Sequence, residues 1–227
     1  MFVIRFAPKL EVYTLPDSEV TVNLNLPVTL GLQTIDIDKI ISNSIDETLV
    51  TFSFVPGVEF AIPVTTRWTL KPYGNVGLGA EIKGAASAWI YYGGLNSLFR
   101  SQFGQLGVNL LNGVQWLGYY PNSGLADSLA RLATGLEGEY PLGNVAVKGQ
   151  QLYMKPHVIH YWYFNDLDFR LIQKSPVEIN QELELAFAVG TKEPISIWFL
   201  KLDRIGVGYR KGDSIEGIRL IFASVFE

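Results

Sequence analysis

The two histidines, His157 and His160, are the side chains of this chain best suited to acid–base or metal chemistry. They lie in Lys155-Pro156-His157-Val158-Ile159-His160, which has the alternating character of a strand. Side chains three residues apart on a strand point to opposite faces, a poor arrangement for a shared metal ion. We therefore expect one histidine in an interior and one at an interface. Because catalytic triads assemble from distant segments, a hydrolase that uses His157 stays open as an alternative.

Other motifs with possible chemistry are weak. The chain has no cysteine, which excludes thiol catalysis, disulfides and zinc–thiolate sites. Gly77-Leu78-Gly79 and Gly206-Val207-Gly208 do not open helices, so neither is a dinucleotide-binding loop. We expect no enzymatic activity, no catalytic residues, no cofactor and no metal site.

The charged side chains fall mainly on the polar faces of alternating segments. Unpaired charges away from bulk water are costly, so we expect these residues to form a network of ion pairs. Such a network would brace a barrel interior; the alternative is a channel whose charges select solutes. The expected interior set is Arg5, Lys9, Glu11, Glu59, Lys71, Glu81, Arg131, Glu137, Glu139, Lys155, Glu182, Glu184 and Arg219.

The elements that must position these charges are long strands that are apolar on one face. Every even position from Val20 to Leu32 is aliphatic, whereas the odd positions carry Thr, Asn, Asn, Pro, Thr and Gly. Segments 50–64 and 68–82 repeat the pattern. A tilted strand of about 9–11 residues crosses a bilayer, and these segments are longer. We expect their even positions to face lipid.

The pattern predicts an all-β fold, an antiparallel transmembrane up-and-down β-barrel that occupies residues 1–227 as a single domain. About eleven strands are visible. Since single-chain bacterial barrels have even strand numbers, we expect about twelve in the complete barrel, one being either missed or absent at the N-terminus. Soluble barrels and sandwiches also alternate, but their polar faces are solvated. Here that face is rich in Gly, Ala, Asn and Thr, and only 18% of all residues are charged.

The expected connections alternate between short and long, with short turns near 16–18, 65–66, 142–144 and 191–194. In the tenth strand, Trp198, Leu200 and Leu202 follow one face and Ile205, Val207 and Tyr209 the other, so we expect a bulge near Asp203-Arg204.

Aromatic residues at the strand ends predict two interfacial girdles. Trp68 is expected at one interface, and Tyr119, Tyr120, Tyr161, Trp162 and Tyr163 at the other. The net charge of −4 and the lack of a basic block argue against nucleic acid as a partner. The expected partner is the lipid bilayer.

Two segments carry a resemblance to a known family. Trp68-Thr69-Leu70-Lys71-Pro72-Tyr73, followed by alternating glycine, resembles a strand of autotransporter β-domains. The C-terminal segment 217–226 resembles an outer-membrane assembly signal, carried by Gly217, Leu220, Phe222 and Phe226 and followed by Glu227. The chain thus resembles the solitary outer-membrane autotransporter-like barrels. The resemblance implies an integral protein of the bacterial outer membrane, inserted by the barrel-assembly machinery.

Three functions follow from these observations. The first is a structural or translocator-like barrel without a passenger, with a narrow or occluded lumen. The second is a porin-like channel for small solutes, and the third is an outer-membrane hydrolase.

Overall fold

The computed structural model describes residues 2–6, 8–16, 18–34, 48–82, 84–122, 126–164, 180–197, 200–213 and 216–221. Every regular element in these ranges is a β-strand, and the fourteen strands belong to one sheet. No helix in these ranges has the length and apolar character needed to cross a membrane.

The first part of the sheet, here called the N-terminal wall, is built from short strands and one long one. Its strands are β1 (Phe2–Phe6), β2 (Lys9–Thr14), β3 (Thr21–Asn25), β4 (Val28–Thr34), β5 (Thr48–Phe54), β6 (Gly57–Pro63) and β7 (Trp68–Glu81). The segments 20–32 and 50–64, which the pattern predicted as continuous strands, are each divided in two, and so is the segment 2–14.

Each division falls at a proline, namely Pro8, Pro27 or Pro56. Proline has no N–H to donate and so interrupts a ladder. The proline carbonyls still accept bonds from the next strand: Leu26 N donates to Pro8 O at 3.0 Å, Val55 N to Pro27 O at 3.2 Å, and the N–H of β7 residue 76 to Pro56 O at 3.0 Å. The three breaks therefore lie side by side. We call this row the proline crease.

The second part, the C-terminal wall, has longer strands. They are β8 (Ser87–Phe103), β9 (Leu106–Pro121), β10 (Asp127–Val147), β11 (Gln150–Tyr163), β12 (Gln181–Ile197), β13 (Leu200–Gly212) and β14 (Glu216–Ile221).

Two predicted turns in this wall are wrong. β10 continues past residues 142–144, because its ladder with β11 resumes at Ala146 and Gln151 after an irregularity. β12 likewise continues past 191–194, since Ile195 pairs with Leu202. Glycine at 143 takes a positive φ of 53°, the left-handed conformation that a local bulge uses. Turn-type residues here mark bulges inside strands, and the chain reverses several residues later.

Neighbouring strands in the sheet are antiparallel with one exception. Consecutive long segments pair in chain order, and β7 pairs with both β5 and β6 on one side and with β8 on the other. The exception is a single parallel pair between Val3 of β1 and Arg219 of β14. Followed from neighbour to neighbour, the pairings of the described strands return to β7. When the two halves of each divided strand are counted as one, the described strands form an odd number of long segments, which makes one parallel step in the ring unavoidable.

The polarity of the two faces of the sheet is the reverse of that in a soluble protein. Exposed large apolar side chains of 50–64 and 68–82 all occupy even positions, and Val76 is 56% exposed. The buried residues of the same segments are odd, and they include Glu59 and Asn75. The prediction of an all-β, antiparallel up-and-down barrel fold is confirmed, with polar side chains on the enclosed face and apolar ones outside.

Candidate functional site

The densest group of enclosed charges surrounds Glu184 on β12, whose side chain is 0% exposed. Arg210 of β13 lies directly opposite in the ladder and donates to its carboxylate at 3.0 and 2.6 Å. Arg219 of β14 lies 3.3 Å away, and His157 Nε2 of β11 lies 3.0 Å from the other carboxylate oxygen. One carboxylate therefore holds together four adjacent strands.

A second group joins strands that are not neighbours. Arg204 of β13 forms an ion pair with Glu137 of β10, with β11 and β12 lying between them. Asn109 of β9 donates to the same carboxylate at 3.1 Å. Because the side chains of Arg204 and Glu137 are only 5% and 3% exposed, this pair crosses the enclosed space behind two strands.

A third group is centred on Lys155 of β11, which is 2% exposed. Its ammonium lies 3.2 Å from Glu139 of β10 and donates to the carbonyl oxygen of Thr191 of β12 at 2.7 Å. Thr191 lies in the register irregularity of β12, between Gly190 and Ile195. The bulge thus provides a carbonyl that satisfies a buried cation.

Tyr161 and Tyr163 belong to this interior, so their assignment to the girdle is wrong. Tyr161 is 2% exposed, and the Tyr163 hydroxyl donates to Glu182 at 2.8 Å. The guanidiniums of Arg210 and Arg131 lie 4.5 and 4.9 Å from the Tyr161 ring centre. Strand alternation is the reason, because only Trp162 of these three consecutive aromatics can face outward.

An apolar layer separates the polar groups of the C-terminal wall. Leu111, Ala133, Ile159 and Tyr161 form a buried cluster on β9, β10 and β11. Along β11 the inward residues therefore change from Lys155 and His157 to Ile159 and then to tyrosine. Apolar side chains and paired charges together fill the enclosed side of this wall.

The N-terminal wall uses amides more than ion pairs. Lys9 of β2 lies 3.0 Å from Glu59 of β6. The amide nitrogen of Asn75 donates to the carbonyl oxygen of Val55, beside the proline crease, at 3.0 Å. The side-chain oxygens of Asn25 and Asn75 are buried and accept no hydrogen bond from another described residue.

The remaining predicted interior charges lie apart from these groups. Glu11 is exposed and accepts a bond from Thr14 at 3.1 Å, so it is not a buried network member. Glu81 is half-buried at the end of β7, and Lys71 is half-buried and has an interaction partner. Arg5 lies in β1, but its side chain is outside the described residues.

Arg204, Arg210 and His157 were absent from the predicted interior set. The sequence carried a signal for the two arginines. Ile205, Val207 and Tyr209 form an apolar face, so the even positions between and beside them, which include Arg204 and Arg210, belong to the opposite face. The expected irregularity is present at this level of β13: Leu202 pairs with Ile195 and Arg204 with Gly190. Its extra residues, however, lie in β12, where the sequence pattern showed no phase conflict.

The other predicted residues are placed as follows. Gly217 and Leu220 lie in β14, with Leu220 exposed; Phe222, Phe226 and Trp198 are outside the described residues. The assembly signal stays a prediction.

Trp68, Tyr119, Tyr120 and Trp162 are exposed near strand ends, and His160 packs against Trp162 with ring centres 4.0 Å apart. Trp68 opens β7 and Trp162 lies near the end of β11, so they occupy opposite ends of the strands.

Within the described part of the chain, no group of three or more His, Asp or Glu side chains is arranged to hold a metal ion.

No family model matches the sequence, and no curated protein matches it. Among solved structures, the chain is similar to the outer membrane transporter YddB from Escherichia coli. The identity is 11% and the TM-score 0.39, over 95% of this chain and 34% of that one. The chain thus spans about a third of that transporter's length.

Proposed function

We propose that the protein is an integral β-barrel of the bacterial outer membrane, without enzymatic activity, whose lumen is occluded or narrowed by its own side chains. The observation that carries the proposal is the pairing of buried charges across the enclosed face, above all Arg204 with Glu137 and Arg210 with Glu184. Exposed apolar side chains on the opposite face suit a lipid environment. The barrel then serves a structural or translocator-like role, as the autotransporter-like resemblance suggests.

Enclosed charges of this kind act as braces. A carboxylate shared between guanidiniums of different strands, as Glu184 is between Arg210 and Arg219, links those strands more firmly than the backbone ladder alone. Replacing one partner leaves the other charged, buried and unpaired, which is strongly destabilising. The side chains that make these links also occupy the space through which a solute would pass.

A second candidate is a narrow channel for small solutes. The observation that favours it is the pair of buried amide oxygens of Asn25 and Asn75. Buried oxygens of this kind are usually satisfied by water, and a hydrated lumen would supply it. A hydrolase has less support: His157 is held by Glu184, and no described hydroxyl group bonds to it.

Conductance separates the first two candidates. We expect the purified, refolded protein to form heat-modifiable barrels that give no stable open channel in a planar bilayer. Glu137→Gln, which removes the charge that holds Arg204, should produce open events that the unaltered protein lacks. Glu81→Gln, outside the three groups, is the matched control and should remain closed. Steady porin-like conductance of the unaltered protein would overturn the occluded-lumen proposal in favour of the channel.

A further inference from the structure

Among the described residues, one layer of the enclosed face carries more positive than negative charge. Around Tyr161 three guanidiniums, those of Arg131, Arg210 and Arg219, face two carboxylates, those of Glu182 and Glu184. Arg210 and Arg219 are neutralised by the glutamates. Arg131 contacts the Tyr161 ring, and among the described residues no carboxylate lies within ion-pair distance of it. The surplus positive charge of the layer therefore resides on Arg131.

Beside Arg131 lies a second group with unused donors. Gln115 of β9 is its direct partner in the ladder, on the same enclosed face and also half-buried. The Gln115 side chain makes no hydrogen bond with another described residue. A guanidinium and a primary amide with free N–H groups are thus held next to each other by two paired strands.

A third polar group lies close to this pair. Gly94 of β8 is the ladder partner of Gln115 on its other side, and its lack of a side chain lets a neighbouring strand's side chain come close. The hydroxyl of Tyr73 on β7 reaches this place, 2.9 Å from where a Cβ of Gly94 would be. Tyr73, Gln115 and Arg131 therefore form a row of polar groups along the enclosed face. Trp116, next to Gln115, is exposed on the outer face, so strand alternation places Gln115 on the enclosed side.

We propose that Arg131 and Gln115 form a lumen site for a small oxyanion, a phosphate or carboxylate group of a water-soluble solute. The planar fork of arginine matches such groups with two parallel hydrogen bonds, and the glutamine amide adds a donor from the adjacent strand. A bound oxyanion would neutralise the surplus charge of the layer. The inference goes beyond the proposed function, because it requires only that the face be enclosed and hydrated, not that the lumen conduct.

The test is calorimetric titration of the refolded barrel with inorganic phosphate, in a zwitterionic detergent at constant ionic strength. We expect saturable binding that chloride does not reproduce. Arg131→Gln should weaken it about 10- to 100-fold, since a hydrogen bond to a charged group is worth about 1.5–3 kcal/mol. Gln115→Leu should weaken it less, and Arg67→Gln, on the exposed turn before β7, should leave it unchanged.

Heat modifiability of each variant reports independently whether the barrel has formed, so failure of the fold is separated from failure of the site. Absence of saturable phosphate binding by the formed barrel would overturn the inference. Equal affinity of Arg131→Gln and the unaltered protein would do the same, as would an equal loss in Arg67→Gln. If Arg131→Gln does not refold, Gln115→Leu decides: unchanged binding refutes the site, and weakened binding supports it.

Discussion

The N-terminal wall and the C-terminal wall of this barrel enclose polar side chains by different means. In the C-terminal wall, strands of 13 to 21 residues from β8 to β13 carry ion pairs that join β10 to β13 and β12 to β14. In the N-terminal wall, strands of 5 to 7 residues meet at the proline crease, and the enclosed side chains are largely amides. Both walls expose apolar side chains on the other face.

The difference shows that an inverted barrel can keep its interior ordered in two ways. Continuous strands place inward charges at fixed heights, so that side chains three strands apart can meet. A wall creased by aligned prolines cannot hold such long-range pairs in register. There the backbone itself approaches closely, and the carbonyls that lose a ladder bond accept bonds from neighbouring N–H groups and from Asn75.

The largest effect is expected from removing the central carboxylate of the C-terminal wall. Glu184→Gln removes the negative charge that Arg210, Arg219 and His157 share, and breaking a buried ion pair costs about 3–5 kcal/mol. Glu59→Gln in the N-terminal wall removes the charge that lies 3.0 Å from the Lys9 ammonium and should cost about 1–3 kcal/mol. Urea unfolding in lipid vesicles, followed by tryptophan fluorescence, measures both. Equal losses would break the contrast between the walls.

The next effect concerns backbone packing at the proline crease. In Gly77→Val the new Cβ would meet the carbonyl oxygen of Phe54 and lie 2.5 Å from Val55 Cα, and neither is a flexible side-chain end. We expect a loss of about 1–3 kcal/mol in the free energy of unfolding. Gly74→Ala, on the same strand with open space around its Cβ, is the control and should change stability by less than about 0.5 kcal/mol. If both variants unfold alike, close backbone approach is not what shapes this wall.

The smallest effect on stability is expected from single cysteine substitutions. Because the chain has no cysteine of its own, labelling of each variant reports on the introduced thiol alone. Val76→Cys and Val114→Cys place a thiol on the outer face of the N-terminal and C-terminal walls, at positions 56% and 54% exposed. Both should be shielded from a water-soluble maleimide in vesicles, whereas a cysteine at Pro16, in the turn after β2, should react freely. Rapid labelling at 76 but not at 114 would mean that only the C-terminal wall faces lipid.

Much of the fold follows from alternation in the sequence, because a period of two assigns every residue of a regular strand to one of two faces. The positions of Glu59, Glu137 and Glu184 on the enclosed face needed nothing more. Errors arose where the period is interrupted. Three consecutive aromatics at 161–163 were assigned to one girdle although alternation forbids it, and turn-type residues near 143 and 191 were taken for chain reversals.

What the sequence determined by itself is the inverted distribution of polarity and hence the class of fold. Only the tertiary structure decided which charges meet. Arg204 and Glu137 are 67 residues apart, and their contact depends on the stagger of four strands and on a bulge in β12. Stagger arises from the closure of the sheet as a whole, so no local pattern encodes it. For the same reason the sequence could not show that no carboxylate of the described residues lies within ion-pair distance of Arg131.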